Sequence, residues 1–179
     1  LFLYSVSLLA VKIALITLAL ILPSTNFFSS IAADRLVSLI NRERQARNLP
    51  ALILNNNLNS VADLKVNDMA AQNYFEHTSP AGITPWFWFK KIGYNYQYAG
   101  ENLAMGFIQT DDVFAAWMNS PSHRANILNP NYQEIGLAVG AGDIQNRQET
   151  LAVLVFGKQA QQTKTQIAKN TLSKNKTSA

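Results

Sequence analysis

Two histidines occur in the 179 residues, and each lies among polar side chains that could share chemistry with it. His123 lies in SPSHRANIL, where Ser120 suits a helix N-cap and Pro121 the first helical position. The imidazole is therefore expected in the first turn of a helix, where the positive end of the helix dipole disfavours imidazolium. A neutral ring can accept a proton or bind a metal. A histidine near a helix start is also often a structural hydrogen-bonding group, so this motif leaves both interpretations open.

The second histidine, His77, and the carboxylate of Glu101 could share chemistry with His123. His77 lies in NYFEHTSPAG, at the predicted end of a helix, and Glu101 lies in GENLA. No local metal motif such as H-E-x-x-H connects them, so any shared chemistry requires the fold to bring His77, Glu101 and His123 together. Two imidazoles and a carboxylate can form an open divalent-metal site, with zinc preferred and Glu101 the candidate catalytic base. The same groups could instead form a hydrogen-bonded cluster that braces a cleft, with no cofactor at all.

The composition excludes several other kinds of site. There is no cysteine, which excludes disulfides, thiolate nucleophiles and cysteine-ligated metals. Ser79, Ser120 and Ser122 lack the strand-turn-helix context of an activated serine. The net charge of +4 comes from residues 158–179, which hold five lysines and no acid, so the basicity belongs to a polar tail and not to a nucleic-acid-binding face. We expect that tail to be disordered and no nucleic acid to bind.

Residues 1–22, LFLYSVSLLAVKIALITLALIL, are apolar except for Lys12. A run of about 20 apolar residues can span a bilayer. Alternatively, IALITLALIL can be the core of a secretory signal that is cleaved near SSIAA. We favour the anchor, because the residues before Lys12 are apolar and SSIAA lies far beyond the apolar core. Both interpretations place the domain outside the cytoplasm, either membrane-anchored or secreted.

The folded domain is predicted to cover residues 33–157, after a linker at residues 23–32. Apolar residues recur at helical spacing over residues 33–48 and again over residues 58–74. The asparagines at positions 55–57 can cap the second of these helices. We expect both helices to contribute one face to the core.

Shorter elements follow. TPWFWFKKIGY predicts a helix capped by Thr84 and begun by Pro85, and TDDVFAAWMNS predicts another capped by Thr110. Four consecutive aromatic residues, 86–89, cannot all face inward on one helix, so at least one should be exposed. EIGLAVGAG and ETLAVLVFG predict two strands of a hairpin separated by the polar GDIQNRQ. Helices that precede strands without βαβ alternation indicate an α+β layered domain.

The order of four motifs resembles the bacterial branch of the CAP superfamily. That superfamily, whose domain is also called SCP, includes cysteine-rich secretory proteins, antigen 5 and plant pathogenesis-related class 1 proteins. The motifs are F-x-H-T-S-P-x-G, A-G-E-N-L-A-x-G, W-M-N-S-P-x-H-R-A-N-I-L-N-P and E-I-G-L-A. The resemblance implies a three-layer α-β-α sandwich, here preceded by an N-terminal hydrophobic helix, with a cleft lined by histidines and acidic residues.

Seven positions carry over from the resemblance. It assigns to the cleft His77, Glu101, Asn102 and His123, and to the support of the His123 helix Ser120, Arg124 and Asn126. The chain departs from eukaryotic relatives, whose G-H-Y-T-Q strand supplies a histidine that LAVLVFG lacks and whose second acidic residue falls where this chain has Ser120. His123 can replace the missing histidine. Glu76 or Glu134 could supply the acid, although either could equally be a surface or loop-bracing group.

These residues favour an extracellular binding or interaction module over an enzyme. Its ligand could be a lipid, a glycan or a protein, and the N-terminal segment would contact the membrane. The alternative is a metal-dependent, peptidase-like hydrolase that uses His77, His123 and Glu101. A third interpretation is lipid or sterol binding, described for some relatives. The resemblance to a family does not choose among these activities.

Overall fold

The computed structural model describes residues 25–161, with side chains from residue 33 onward. The predicted hydrophobic helix at 1–22 and residues 162–179 of the predicted tail lie outside this range. The described elements are, in chain order, α1 (Thr25–Gln45), β1 (Ile53–Leu54), α2 (Asn56–Gln72), α3 (Pro85–Ile92), β2 (Tyr96–Met105), α4 (Thr110–Asn119), α5 (Pro121–Ile127), β3 (Glu134–Ile144) and β4 (Arg147–Gln159).

Within residues 25–161 the strands form one four-stranded sheet in the order β1-β3-β4-β2. β3 and β4 are antiparallel and are joined at Gln145 and Asn146, whose φ angles of 52° and 62° suit a two-residue hairpin turn. β4 also pairs antiparallel with β2, and β1 lies parallel to β3. The predicted hairpin is confirmed, but its strands extend through most of GDIQNRQ.

Alternate residues of β4 pack into two separate hydrophobic cores, because side chains along a strand alternate between its faces. Val153 lies in the core covered by α2 and α3, together with Met69. Leu154 lies in the core covered by α1, α4 and α5, together with Ile40 and Trp117. The result is the three-layer α-β-α sandwich that the resemblance implies.

Both ends of the domain extend beyond their predicted bounds. α1 begins at Thr25, so the helix occupies most of the 23–32 segment that the sequence suggested as a linker. β4 continues to Gln159, and Lys158 pairs with Tyr98 of β2, so the first residues of the predicted tail belong to the sheet. None of the helices in the described part of the chain is both long and apolar enough to cross a bilayer.

The helix starts follow the predicted caps with one exception. Asn55, Thr84 and Ser120 occupy the N-cap positions of α2, α3 and α5. Asn55 also closes its cap with a side-chain oxygen that accepts a backbone N–H of α2 at 2.8 Å. The prediction that Thr110 caps α4 was wrong, because Gln109 already has the extended backbone of a cap and Thr110 is the first helical residue.

A glycine allows α2 to lie directly on the sheet. A Cβ at Gly136 of β3 would collide with the backbone of Leu58 and Asn59. Since backbone atoms cannot move aside as a flexible side chain can, α2 could not keep this position over any larger residue. The close approach fixes the helix that leads into the His77 segment.

The aromatic run at 86–89 divides between core and surface, as expected. Trp88 and Phe89 are 5% and 0% exposed, whereas Trp86 and Phe87 are 41% and 46% exposed. A short helix packed on a core buries one stripe and leaves the other in solvent.

Candidate functional site

Strand β2 lies at one edge of the sheet and carries two buried polar residues, Glu101 and Asn102. The next two residues, Leu103 and Ala104, pack into opposite cores. By the same alternation Glu101 faces the layer of α2 and α3, whereas Asn102 faces the layer that contains α5. A buried carboxylate or amide is costly without hydrogen bonds. The partners of both side chains come from the segments that carry the two histidines.

His77 pairs with Glu101 across 24 residues of sequence. Its Nδ1 lies 2.6 Å from Oε1 of Glu101. Because an ionised carboxylate can only accept a hydrogen bond, Nδ1 carries the proton and a neutral ring keeps its lone pair on Nε2. The Glu101 side chain is 3% exposed and that of His77 is 55% exposed. The buried carboxylate therefore orients a ring whose Nε2 has no hydrogen-bond partner among residues 25–161.

Asn102 and Asn126 attach α5 to the same strand. Nδ2 of Asn102 donates to the carbonyl oxygen of His123 at 3.0 Å. Nδ2 of Asn126 donates to Oδ1 of Asn102 at 2.8 Å and to the carbonyl oxygen of Glu101 at 3.1 Å. These bonds hold the helix that contains His123 against the residue that orients His77. We call His77, Glu101, Asn102 and His123 the edge site.

His123 is partly buried and close enough to His77 for their charges to interact. Burial is the main cause that lowers the pKa of His123, and the charge of His77 lowers it further. The dipole of the predicted helix also favours a neutral ring. The direction agrees, but the dominant physical cause is burial at the edge of the sheet.

Ser120 and Arg124 are less directly connected to the edge site. Oγ of Ser120 lies 3.3 Å from Oγ of Ser122, and Ser120 makes no side-chain cap bond to α5. The Arg124 side chain is exposed, and its carbonyl oxygen accepts the N–H of Leu128 at 2.9 Å. Within the described chain, neither side chain hydrogen-bonds to an edge-site residue, so their contribution is to the start and the backbone of α5.

The two acids considered for a second carboxylate lie apart from this arrangement. Oε1 of Glu134 accepts a hydrogen bond from Asn55 at 2.7 Å, and its Oε2 accepts one from the hydroxyl of Tyr94 at 2.5 Å. Glu134 therefore braces the start of α2 against β3. The side chain of Glu76 is exposed, and the group of this residue that the fold engages is its backbone carbonyl.

Lys65, which the sequence analysis did not single out, is 0% exposed and supports the edge site from α2. Its Nζ donates to the carbonyl oxygens of Glu76 at 2.7 Å and His77 at 2.9 Å, and to the hydroxyl of Tyr74 at 3.0 Å. Burial lowers the pKa of Lys65, whereas the nearby carboxylates, Glu101 foremost, act in the opposite direction. A buried cation thus lies near Glu101 and holds the backbone of His77.

A sequence signal for Lys65 exists. The buried residues of α2 include Val61, Lys65 and Met69 at spacings of four, so the lysine lies on the apolar stripe of its helix. A charge at such a position requires buried partners. One of them, Tyr74, donates its own hydroxyl proton to Oδ2 of Asp68 at 2.5 Å, and its pKa is raised by burial and by this bond.

Arg44 is a second buried cation that the sequence analysis did not single out, and it is also 0% exposed. Its Nη1 donates to the carbonyl oxygens of Ile127 at 2.8 Å and Asn129 at 2.9 Å. Its Nε donates to the carbonyl oxygen of Pro50 at 2.9 Å. Because Ile127 is the last residue of α5 and Asn129 lies just beyond it, Arg44 holds the end of the His123 helix as Lys65 holds the His77 segment.

The zinc site that the sequence left open as an alternative is not supported by the described residues. Within the described residues, no three His, Asp or Glu side chains are placed so that they could hold a metal ion. Glu101 uses Oε1 to orient His77, which is the role of a supporting carboxylate and not of a third ligand. A catalytic zinc requires three protein ligands, and the two histidines do not supply them.

A small apolar pocket lies elsewhere, between α1, α4 and the sheet. Its cavity volume is ≈ 60 Å³, below the roughly 300–1,000 Å³ of typical ligand pockets. This pocket is therefore too small for a lipid or sterol, whereas an open groove of ≈ 380 Å³ on α4 and α5, whose lining includes Pro121 and Arg124, falls within that range. The lining of the smaller pocket includes Leu36, Ala104, Phe107, Val113 and Ala152.

The chain is similar in sequence to two proteins of Bacillus subtilis. The chain is 41% identical over 128 residues to the Bacillus subtilis protein YkwD, a match that covers 70% of this chain and 50% of that protein. It is 32% identical over 72 residues to the B. subtilis membrane protein YlbC, covering 40% of this chain and 21% of the relative. The chain thus spans half or less of the length of these curated relatives.

Solved structures share the fold. An outer surface protein from Borrelia burgdorferi is 27% identical with a TM-score of 0.65, covering 74% of this chain and 96% of that one. An extracellular SCP-domain protein from Bacillus anthracis is 28% identical with a TM-score of 0.60, covering 70% and 40%. The sequence model of the cysteine-rich secretory protein family, CAP, matches residues 37–156, more than half of the chain. This chain, although it has no cysteine, belongs to the CAP family.

Proposed function

We propose that the chain is an exported, membrane-anchored binding module whose ligand contacts the edge site. The observation that carries the proposal is the 2.6 Å hydrogen bond between His77 Nδ1 and Glu101 Oε1. It holds an exposed imidazole in one orientation and leaves Nε2 as an acceptor for a hydroxyl, amide or ammonium group of a ligand. A ring that is already oriented loses little freedom on binding, which favours affinity.

Binding is favoured over catalysis by the groups that surround this ring. Lys65 and Asn126 donate to backbone carbonyls and to the side chains of Tyr74 and Asn102, so these donors are used to hold the two histidine segments in place. Glu101 is occupied by His77, and the described residues offer no third metal ligand. The described residues therefore supply no metal site that would activate water, and the proposal rests on the presentation of polar groups; catalysis with His77 Nε2 as a general base is the outcome that the hydrolysis assay would detect.

The proposed location draws on the relatives and on the N-terminal sequence. One structural relative is described as an extracellular protein and another as an outer surface protein. The apolar residues 1–22 are long enough to anchor such a domain. We expect the full chain to stay with membranes after high-salt and carbonate washes, since burial of apolar surface does not depend on ionic strength. A processed domain recovered from the medium would favour the secretory signal instead.

The presence of two histidines makes the ligand test direct. With ring-labelled histidine, the full chain gives one imidazole signal for each residue, and both report on the edge site. We would titrate it with muramyl dipeptide, a soluble short-chain phosphatidylcholine and cholesterol in detergent, and follow hydrolysis of the first two in the same samples. A ligand of the edge site should shift both signals, and its affinity should fall at least tenfold in His77→Gln.

Arg147→Gln is the matched control, since this exposed side chain at the start of β4 lies outside the edge site and outside the helix that carries His123. A probe that binds without shifting either signal, and with unchanged affinity in His77→Gln, would place binding elsewhere. Turnover that disappears in Glu101→Gln would replace the binding proposal with the hydrolase.

A further inference from the structure

The outward face of α3 has an unusual composition for a solvent-exposed surface. The helix buries Pro85, Trp88 and Phe89, so the positions left outside are 86, 87, 90 and 91. Trp86 and Phe87 in the first turn are 41% and 46% exposed. Lys90 and Lys91, one turn later, are also exposed. Since residues four apart lie on the same side of a helix, Lys90 follows Trp86 and Lys91 follows Phe87 along this face, and Nζ of Lys91 lies 5.3 Å from the ring centroid of Trp88.

The next strand extends this surface. Tyr96 is 39% exposed, and its ring centroid lies 5.9 Å from that of Trp86. No Asp or Glu occurs in residues 82–100, and neither lysine of α3 forms an ion pair within the described chain. We call Trp86, Phe87, Lys90, Lys91 and Tyr96 the α3 patch. It is aromatic and positively charged.

We propose that the α3 patch docks on the surface of an anionic lipid bilayer. Tryptophan and tyrosine favour the headgroup level because their rings have an apolar body and a polar tip. The lysines can place their ammonium groups among acidic headgroups while their stems lie against apolar surface. This function is independent of the edge site and of the membrane anchor.

The composition of the patch argues against other partners. The centre of a protein interface is depleted of lysine, whereas here two lysines lie between the aromatic side chains and the end of the helix. A glycan presents many hydroxyl groups, and the outward face of α3 offers no side-chain carboxylate or amide to accept from them. The lysines and the aromatic rings of the α3 patch together match the interface of an anionic bilayer, where acidic headgroups meet the hydrocarbon.

The test uses the absence of cysteine, which allows a single nitroxide label at any chosen residue. Phe87→Cys carries the label in the α3 patch, and Ala115→Cys carries it on the exposed face of α4, in the opposite layer. The full chain is reconstituted in vesicles of phosphatidylcholine alone or of phosphatidylcholine with phosphatidylglycerol. Residues 1–22 are the same in every sample, so any contribution from them is common to all comparisons.

With phosphatidylglycerol present, the label at position 87 should gain collisions with oxygen and lose collisions with a soluble nickel complex, changing their ratio at least threefold. The label at position 115 should not change. Adding Lys90→Gln and Lys91→Gln to the Phe87→Cys chain should return the ratio to its value in neutral vesicles. Far-UV circular dichroism and the two histidine signals check that each labelled variant is folded.

Three results would overturn the proposal. The label at position 87 could stay accessible to nickel in anionic vesicles, which would leave the patch in water. It could be immersed equally in neutral vesicles and without the lysines, which would remove the role of anionic lipid. Spin–spin broadening between labels at position 87 would show that a second copy of the chain covers the patch.

Discussion

Nζ of Lys65 lies 2.9 Å from the carbonyl oxygen of His77, so a fully buried cation holds the backbone of the exposed histidine. On the other layer, Arg44 donates to the carbonyl oxygen of Ile127 at 2.8 Å and holds the end of the helix that contains His123. The two histidine segments are thus fixed by buried charges that bond to main-chain oxygens. This arrangement makes the geometry of the edge site depend on residues outside it.

Lys65→Met should therefore destabilise the protein and displace His77. The substitution keeps an apolar stem but leaves the carbonyl oxygens of Glu76 and His77 without their donor, at about 1–3 kcal/mol for each unsatisfied group. We expect a loss of about 2–4 kcal/mol in the free energy of unfolding, measured by urea denaturation, and a shifted His77 signal. Lys90→Met, at an exposed position, should change stability by less than about 0.5 kcal/mol. If Lys65→Met unfolded with the same free energy as the unsubstituted protein, the buried ammonium group would make no net contribution to stability.

The pKa of His123 gives a pH prediction with a defined sign. Because its pKa is lowered in the folded state, the unfolded chain takes up the proton first as the pH falls below about 6.5. The unfolding free energy should therefore be fully present above about pH 6.5 and decline as the pH falls from there towards the folded-state pKa. His123→Gln should flatten this part of the pH profile of urea unfolding. A profile with the same slope in both proteins would show that His123 is not the group responsible.

His77→Gln should raise the pKa of His123, since the charge of His77 is one of the causes that lower it. The pKa is read from the imidazole shift of His123 between pH 4 and pH 8. Arg147→Gln, which removes one exposed positive charge at the start of β4, is the control for a change in the net charge of the protein. No change in His77→Gln would contradict the close approach of the two rings.

Asn126→Asp should weaken the attachment of α5 to β2. The aspartate has nearly the same shape but cannot donate to Oδ1 of Asn102 or to the carbonyl oxygen of Glu101. We expect a loss of about 1–3 kcal/mol and faster amide exchange along α5. Asn131→Asp, at an exposed position in the loop after α5, is the matched substitution. If the two variants behave alike, the side-chain donors of Asn126 are not what holds the helix.

Zinc uptake distinguishes a pair of histidines from a complete ligand set. Because the described residues provide no third ligand, we expect the full chain to retain much less than one equivalent of zinc after dialysis, measured by elemental analysis. One retained equivalent that is lost in both His77→Ala and His123→Ala would show that a third ligand completes the site.

Several features followed from the sequence because short-range rules govern them. Asn55, Thr84 and Ser120 are residue types that suit helix N-caps, and the uninterrupted apolar run LAVLVFG is typical of a strand that is buried on both faces. The predicted hairpin and the exposure of part of the aromatic run depend on the same local periodicities. The order of the CAP motifs then pointed to the layered fold.

Other features required the tertiary structure, because they depend on which distant groups meet. The sequence made Glu101 a possible metal ligand, but the fold places its Oε1 against Nδ1 of His77, where it orients the ring. The helical stripe places Lys65 towards the core, but the acceptor that makes its burial tolerable, the carbonyl oxygen of His77, lies 12 residues away. For Arg44 the corresponding acceptor, the carbonyl oxygen of Ile127, lies 83 residues away. Local spacing sets the face of a helix on which a charge lies, whereas the backbone oxygens that make its burial tolerable come from the packing of the whole chain.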